Sequence, residues 1–129
     1  MSRQPIPRSV HGVLDYAYAF LLGASPFLFG FGHVAEARIA AWMVAAAVLA
    51  FTLLTRFELG VWRVLPYRVH LLLDAVGNGA MLALPWVLGF ADEPAARNTF
   101  LAFAIVGFAA VALSRTDEMG TVRVHTVGI

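Results

Sequence analysis

Residues 8–38 read RSVHGVLDYAYAFLLGASPFLFGFGHVAEAR and residues 67–97 read YRVHLLLDAVGNGAMLALPWVLGFADEPAAR, and the two lines coincide at a constant offset of 59. His11 falls on His70, Leu14 on Leu73, Asp15 on Asp74, Pro26 on Pro85, Gly30 on Gly89 and Phe31 on Phe90. The register continues without a gap: Arg38 falls on Arg97, Leu54 on Leu113, Arg56 on Arg115 and the acidic Glu58 on Asp117. Matches at Leu and Ala arise by chance in any apolar chain, so the weight rests on the rarer His, Asp, Pro and Arg coincidences. They indicate an internal duplication.

The charges bound long apolar runs. Seventeen uncharged residues separate Arg38 from Arg56, Arg97 from Arg115 and Asp74 from Asp92, and twenty separate Asp15 from Glu36. Within Ile39 to Thr55 the only polar side chains are Thr52 and Thr55 near the end, and the run from Thr99 is apolar until Ser114. A helix lying on a soluble core keeps a polar face, and these stretches have none. About 20 residues at 1.5 Å each cross the hydrocarbon layer, and each stretch reaches that with its flanks. Of the 129 residues 60% are hydrophobic and 13% charged, with a mean hydropathy of +0.78. A chain this short has too much surface to hide four all-apolar helices in a soluble core. The expected fold is therefore all-α: an integral membrane four-helix bundle made of two tandem, parallel-repeat helical hairpins in a single membrane domain, 1–129.

Repeat 1 spans about 8–58 with helices about 9–31 and 37–56, and repeat 2 about 67–117 with helices about 67–90 and 96–115; residues 59–66 link them. Proline lacks an N–H and clashes with the preceding turn, so Pro26 and Pro85 are expected to kink or end the first helix of each unit. The Gly-containing stretches that follow make the turn. Each unit crosses twice, so both copies keep one orientation, a parallel rather than an inverted repeat. Arg3, Arg8, Arg56, Arg63, Arg68, Arg115 and Arg123 fall on the side of the termini and linker, against Arg38 and Arg97 on the other. Basic residues in short loops mark the cytoplasmic side, so a multi-pass protein of the cell membrane with both termini cytoplasmic is expected. Arg3 and Arg8 before an apolar run imitate a secretory leader, but the first stretch repeats the third at His, Asp and Pro and is expected to stay as a helix.

Ser25-Pro26-Phe27 with Gly30-Phe31, and Leu84-Pro85-Trp86 with Gly89-Phe90, resemble the signature of the SPW-repeat membrane proteins, which carry Ser-Pro-Trp in the first helix of a two-helix unit. The resemblance covers both repeats and leaves out only the tails. The first copy ends in Phe and the second begins with Leu, so only the two together supply all three residues. It implies membrane topology and no established activity.

His11 and Asp15, and likewise His70 and Asp74, are four residues apart and so share one helix face. Each Asp lies roughly 9 to 10 Å along its helix from the cytoplasmic end, and carboxylates at such depth face protein or a cavity. Asn78 extends the third helix's stripe by one turn. Each Asp is expected to be held by His, by the helix-end Arg56 or Arg115, or by backbone, which would fix how the hairpins dock. The alternative is a polar pocket between the first and third helices that binds or transports a proton, a cation or a small solute. A weaker third reading is a haem or metal site on His11 and His70. His33 and His125 read as solvated. Ala75, Gly79 and Ala83 form a small-residue stripe, expected to receive Tyr16 and Phe20 or to make a homodimer face.

No cysteine is present, which removes disulfides, a thiolate nucleophile and cysteine-bound metal. No phosphate loop, nucleophile elbow or zinc-protease pattern occurs. The reading is a non-enzymatic structural or partner-binding membrane module with no catalytic residue and no cofactor. Its expected partners are the lipid bilayer and a second copy or another membrane protein, with no nucleic acid, because the arginines are accounted for at membrane-flanking positions. Arg63, Arg68 and Arg123 are also placed to meet anionic headgroups.

Overall fold

The computed structural model describes residues 5–55 and 59–116. Arg3, Arg56, Glu58, Asp117, Arg123 and His125 lie outside the described residues. Four helices follow one another: α1 (Arg8–Leu28), α2 (Ala35–Leu54), α3 (Tyr67–Val87) and α4 (Pro94–Leu113). The fold is all-α, and among the described residues the only extended pairings are two isolated bridges, Ile6 with Ser114 and Thr55 with Leu65. α1 packs along α2 and α3 along α4, while α1 meets α4 and α2 meets α3 at fewer places.

The proline does not stop α1 or α3 at once; each runs two residues further, to Leu28 and Val87. The stop comes from Gly30 and Gly89, whose φ values of 75° and 79° are left-handed, a conformation that glycine adopts without a Cβ penalty. The amide of Phe31 then donates back to the carbonyl of Pro26 at 2.9 Å, and that of Phe90 to Pro85 at 2.8 Å. This is the six-to-one bond of a Schellman ending, with a buried aromatic following the glycine. The helices therefore end three residues before the expected 31 and 90.

The serine of the motif has a separate job. Pro26 cannot donate to the carbonyl of Leu22, and the fully buried Ser25 hydroxyl donates to it instead, at 2.7 Å. Ser25→Ala is expected to cost about 1 kcal/mol, the loss of a hydrogen bond that leaves a buried acceptor exposed to nothing. Reversible unfolding in mixed micelles measures it, and a change near zero would show that the carbonyl needs no partner. The aromatic third position points outward, with Phe27 and Trp86 both exposed. Arg38 donates to the carbonyl of Gly32 at 2.6 Å and Arg97 to that of Ala91 at 3.3 Å, so the matched arginines tie the turn to the start of the second helix.

Small residues let the helices of each hairpin approach closely. Ala37, Ala41 and Ala45 on α2, and Ala96 and Ala104 on α4, are buried around Leu22, Met81 and Phe100. The small stripe on α3 does not receive Phe20, which is 76% exposed. A Cβ on Gly79 would meet Phe108 of α4 instead, because the close contacts run within the hairpin. Tyr16 does lie against α3, beside Tyr67 and Leu71, and its hydroxyl donates to the carbonyl of Leu59 at 2.8 Å.

Candidate functional site

Both site helices begin from a proline, Pro7 and Pro66, again 59 apart. The residue before a proline is driven out of the helical region, so Ile6 and Leu65 are extended, and they pair with the ends of α4 and α2. The amide of Ile6 donates to Leu113 at 3.0 Å and that of Leu65 to Leu54 at 2.7 Å. Each repeat thus docks its leading segment on the end of the other, as if the two units closed into a circle. His11 and His70 follow one turn into their helices, with their amides donating to Pro7 and Pro66.

This closure crosses the histidines between hairpins. His11 Nε2 lies 3.0 Å from Asp74 Oδ2 and 3.1 Å from Asp15 Oδ2. His70 Nε2 lies 2.6 Å from Asp15 Oδ2 and 3.2 Å from Asp74 Oδ2. Four atoms, alternating nitrogen and oxygen, therefore close a ring in which the shorter contact of each histidine reaches the opposite hairpin. Both histidines are 1% exposed, Asp15 is buried and Asp74 nearly so.

The outer nitrogen of each imidazole is held by a hydroxyl from the end of a second helix. His11 Nδ1 meets Ser114 Oγ at 2.5 Å and His70 Nδ1 meets Thr55 Oγ1 at 2.7 Å. Those hydroxyls donate to the carbonyls of Ala110 and Phe51, each at 2.5 Å. A carbonyl only accepts, so the single hydroxyl proton goes to it, and the imidazole must supply the proton of the other bond. Both Nδ1 atoms then carry hydrogen, and both Nε2 atoms face the carboxylates. Tyr67 closes the ring on one side, its plane 9° from that of His70 and its edge on His11 at a centroid distance of 6.0 Å.

On the other side the ring borders a cleft of about 450 Å3 with walls from all four helices, including Tyr18, Phe51, Asn78 and Phe103. Asn78 stands one turn deeper than the ring. Its amide donates to the carbonyl of Asp74 at 2.8 Å, and its Oδ1 accepts from the Tyr18 hydroxyl at 3.1 Å. The structure thus unites His11, Asp15, His70 and Asp74, places Asn78 beside them on the cleft wall, and puts the Ser-Pro and Gly-Phe residues in the turns at the other end of the helices. The carboxylates are held by the imidazoles, and the backbone amide of Arg115 donates to Ile6. Thr55, Ser114, Tyr67 and Tyr18 are site residues that patterning missed. The offset of 59 pairs Thr55 with Ser114, two hydroxyls, and was the available signal for them.

A family model described as SPW repeat domain matches residues 9–116. No curated protein and no solved structure matches the chain.

Proposed function

We propose that this chain, which belongs to the SPW repeat family, is a multi-pass protein of the cell membrane with both termini cytoplasmic. There it works without catalysing a reaction, as a structural module that presents two docked hairpins to a membrane partner. One observation carries the reading: each histidine is hydrogen-bonded to the aspartate of the other hairpin, His11 to Asp74 at 3.0 Å and His70 to Asp15 at 2.6 Å, so the ring ties the two hairpins together. Bilayer residence is supported by α2 and α4, both long and apolar enough to cross a membrane. It is also supported by the outward-facing Phe20, Met43, Val87 and Ile105, each more than half exposed, which suit contact with lipid or another apolar surface. The proposed partner is lipid together with a second copy or another membrane protein rather than nucleic acid, since membrane-flanking positions account for the arginines.

The cleft favours a second reading, binding or transport of a proton, cation or small polar solute, since His11, Asp15 and Asp74 form part of its wall. One variant separates the two. Under the docking reading, Asp15→Asn with Asp74→Asn loosens the hairpins and lowers unfolding stability, while wild-type liposomes dissipate no pH gradient. A variant that stays as stable as wild type but loses a pH-dependent flux that wild type shows would replace docking with transport. Topology is checked separately, because the chain has no cysteine of its own: Gly32→Cys should react with an impermeant maleimide from outside intact cells and Val61→Cys, at an exposed linker position, only after permeabilisation.

A further inference from the structure

We propose that His11, Asp15, His70 and Asp74 form a binding site for one divalent transition-metal ion of the zinc type, set between the two hairpins. The inference goes beyond docking and does not depend on any partner. All four ligand atoms lie within 4.8 Å of one another, and the four ring edges are 3.0, 3.2, 2.6 and 3.1 Å. A nearly flat ring with edges of that length has its centre on average about 2.1 Å from its atoms, and bonds from zinc to imidazole nitrogen and carboxylate oxygen are about 2.0 to 2.2 Å. Donors as far apart as 4.8 Å must close by a few tenths of an ångström for both to reach one ion.

Hydrogen bonds alone use this ring poorly. Each Nε2 offers one proton at most, yet it faces two carboxylate oxygens, and for His11 the two distances differ by only a tenth of an ångström. A cation at the centre satisfies all four atoms together. The surroundings are those of a metal-binding histidine: the far nitrogen donates to a fixed acceptor, which directs the Nε2 lone pair inward. Here that acceptor is Thr55 or Ser114, itself anchored to a backbone carbonyl.

Charge agrees with geometry. Two carboxylates and two protons make a neutral ring, and so do two carboxylates, two neutral imidazoles and one divalent ion. Uptake is therefore an exchange in which one M2+ enters and two protons leave to solvent, with no net charge left at a depth where charge is costly. Two nitrogens with two oxygens favour zinc, cobalt, nickel, iron and manganese over the oxygen-seeking calcium and magnesium and over thiolate-seeking copper(I). Each hairpin gives one His and one Asp, so the ion bridges the repeats, and the cleft reaches three of the four donors.

The test uses the untagged full chain in detergent, stripped with chelator and titrated with Co2+ and then Zn2+. The expected result is one Co2+ per chain with the visible bands of four-coordinate cobalt, displaced by Zn2+, release of two protons in weak buffer, and a raised thermal midpoint. His70→Ala and Asp15→Asn should weaken binding at least 100-fold, whereas Glu93→Gln, beside the exposed His33, leaves it unchanged. If the ring variants fail to fold, Thr55→Val and Ser114→Ala decide: they keep all four donors, and loss of the outer hydrogen bond should weaken binding about 10- to 100-fold. Folded wild-type protein with no cobalt bands and no thermal shift at millimolar metal overturns the proposal, as does binding that none of these variants changes.

Discussion

Asp74→Ala, measured in the presence of chelator so that metal plays no part, is expected to lower the free energy of unfolding by about 3 to 5 kcal/mol, the cost of removing one partner from a buried ion pair. The loss is large because both imidazoles point at this carboxylate. His11 loses its 3.0 Å partner and must share Asp15 with His70, which already lies 2.6 Å from it. Two imidazolium groups facing one carboxylate leave an unpaired charge in a buried site, so one must lose its proton and leave a polar atom unsatisfied. Asp74→Asn keeps the volume and the acceptor but not the charge, and should cost roughly 1 to 2 kcal/mol. A double-mutant cycle of His11→Ala with Asp74→Ala crosses the hairpins and should show a coupling of about 0.5 to 3 kcal/mol. Unfolding in mixed micelles reads all of these. If Asp74→Ala cost less than 1 kcal/mol, the ring would not be what holds the hairpins together.

The second large effect lies deeper in the second hairpin. Gly107 of α4 sits against Asn78 of α3 so closely that a Cβ there would overlap the carboxamide. Gly107→Ala must displace Asn78, breaking its bonds to Tyr18 and to the Asp74 carbonyl, or else push α3 from α4. Overpacking of this kind costs about 1 to 3 kcal/mol, and Gly107→Leu should prevent the hairpin from closing. The steric cause has its own control: Asn78→Ala combined with Gly107→Ala removes the overlap and should recover most of the loss, since the Tyr18 hydroxyl keeps the Phe103 carbonyl at 3.3 Å. Failure of the double variant to recover would mean that the lost hydrogen bonds, not the clash, set the cost. By the repeat offset this contact corresponds to Ala19 and Val48. The larger residue stands on the first helix in one repeat and on the second helix in the other.

The family motif acquires a physical meaning from these contacts. Pro removes one backbone donor two residues before the helix end, Ser25 gives Leu22 the hydrogen bond that Pro26 cannot make, and Gly followed by Phe ends the helix and buries an aromatic under the turn. Leu84 replaces the serine in the second copy without loss of the helix ending, because the Schellman bond from Phe90 to Pro85 does not involve it.

The sequence alone determined the duplication, the four helices, the parallel sense of the repeats and the sharing of one face by each His and Asp. These are local properties, set by the spacing of residues along a helix and by the chemistry of proline and glycine at its ends. Only the tertiary structure decided that each histidine is hydrogen-bonded to the carboxylate of the other hairpin, that Thr55 and Ser114 hold the imidazoles, and that a cleft remains beside the ring. It also turned Phe20 outward and Gly79 toward α4. The reason is rotational: a period-four pattern fixes which residues share a face but not where that face points. The pairing of Ile6 with Ser114 and of Leu65 with Thr55, which closes the two repeats on each other, sets that direction.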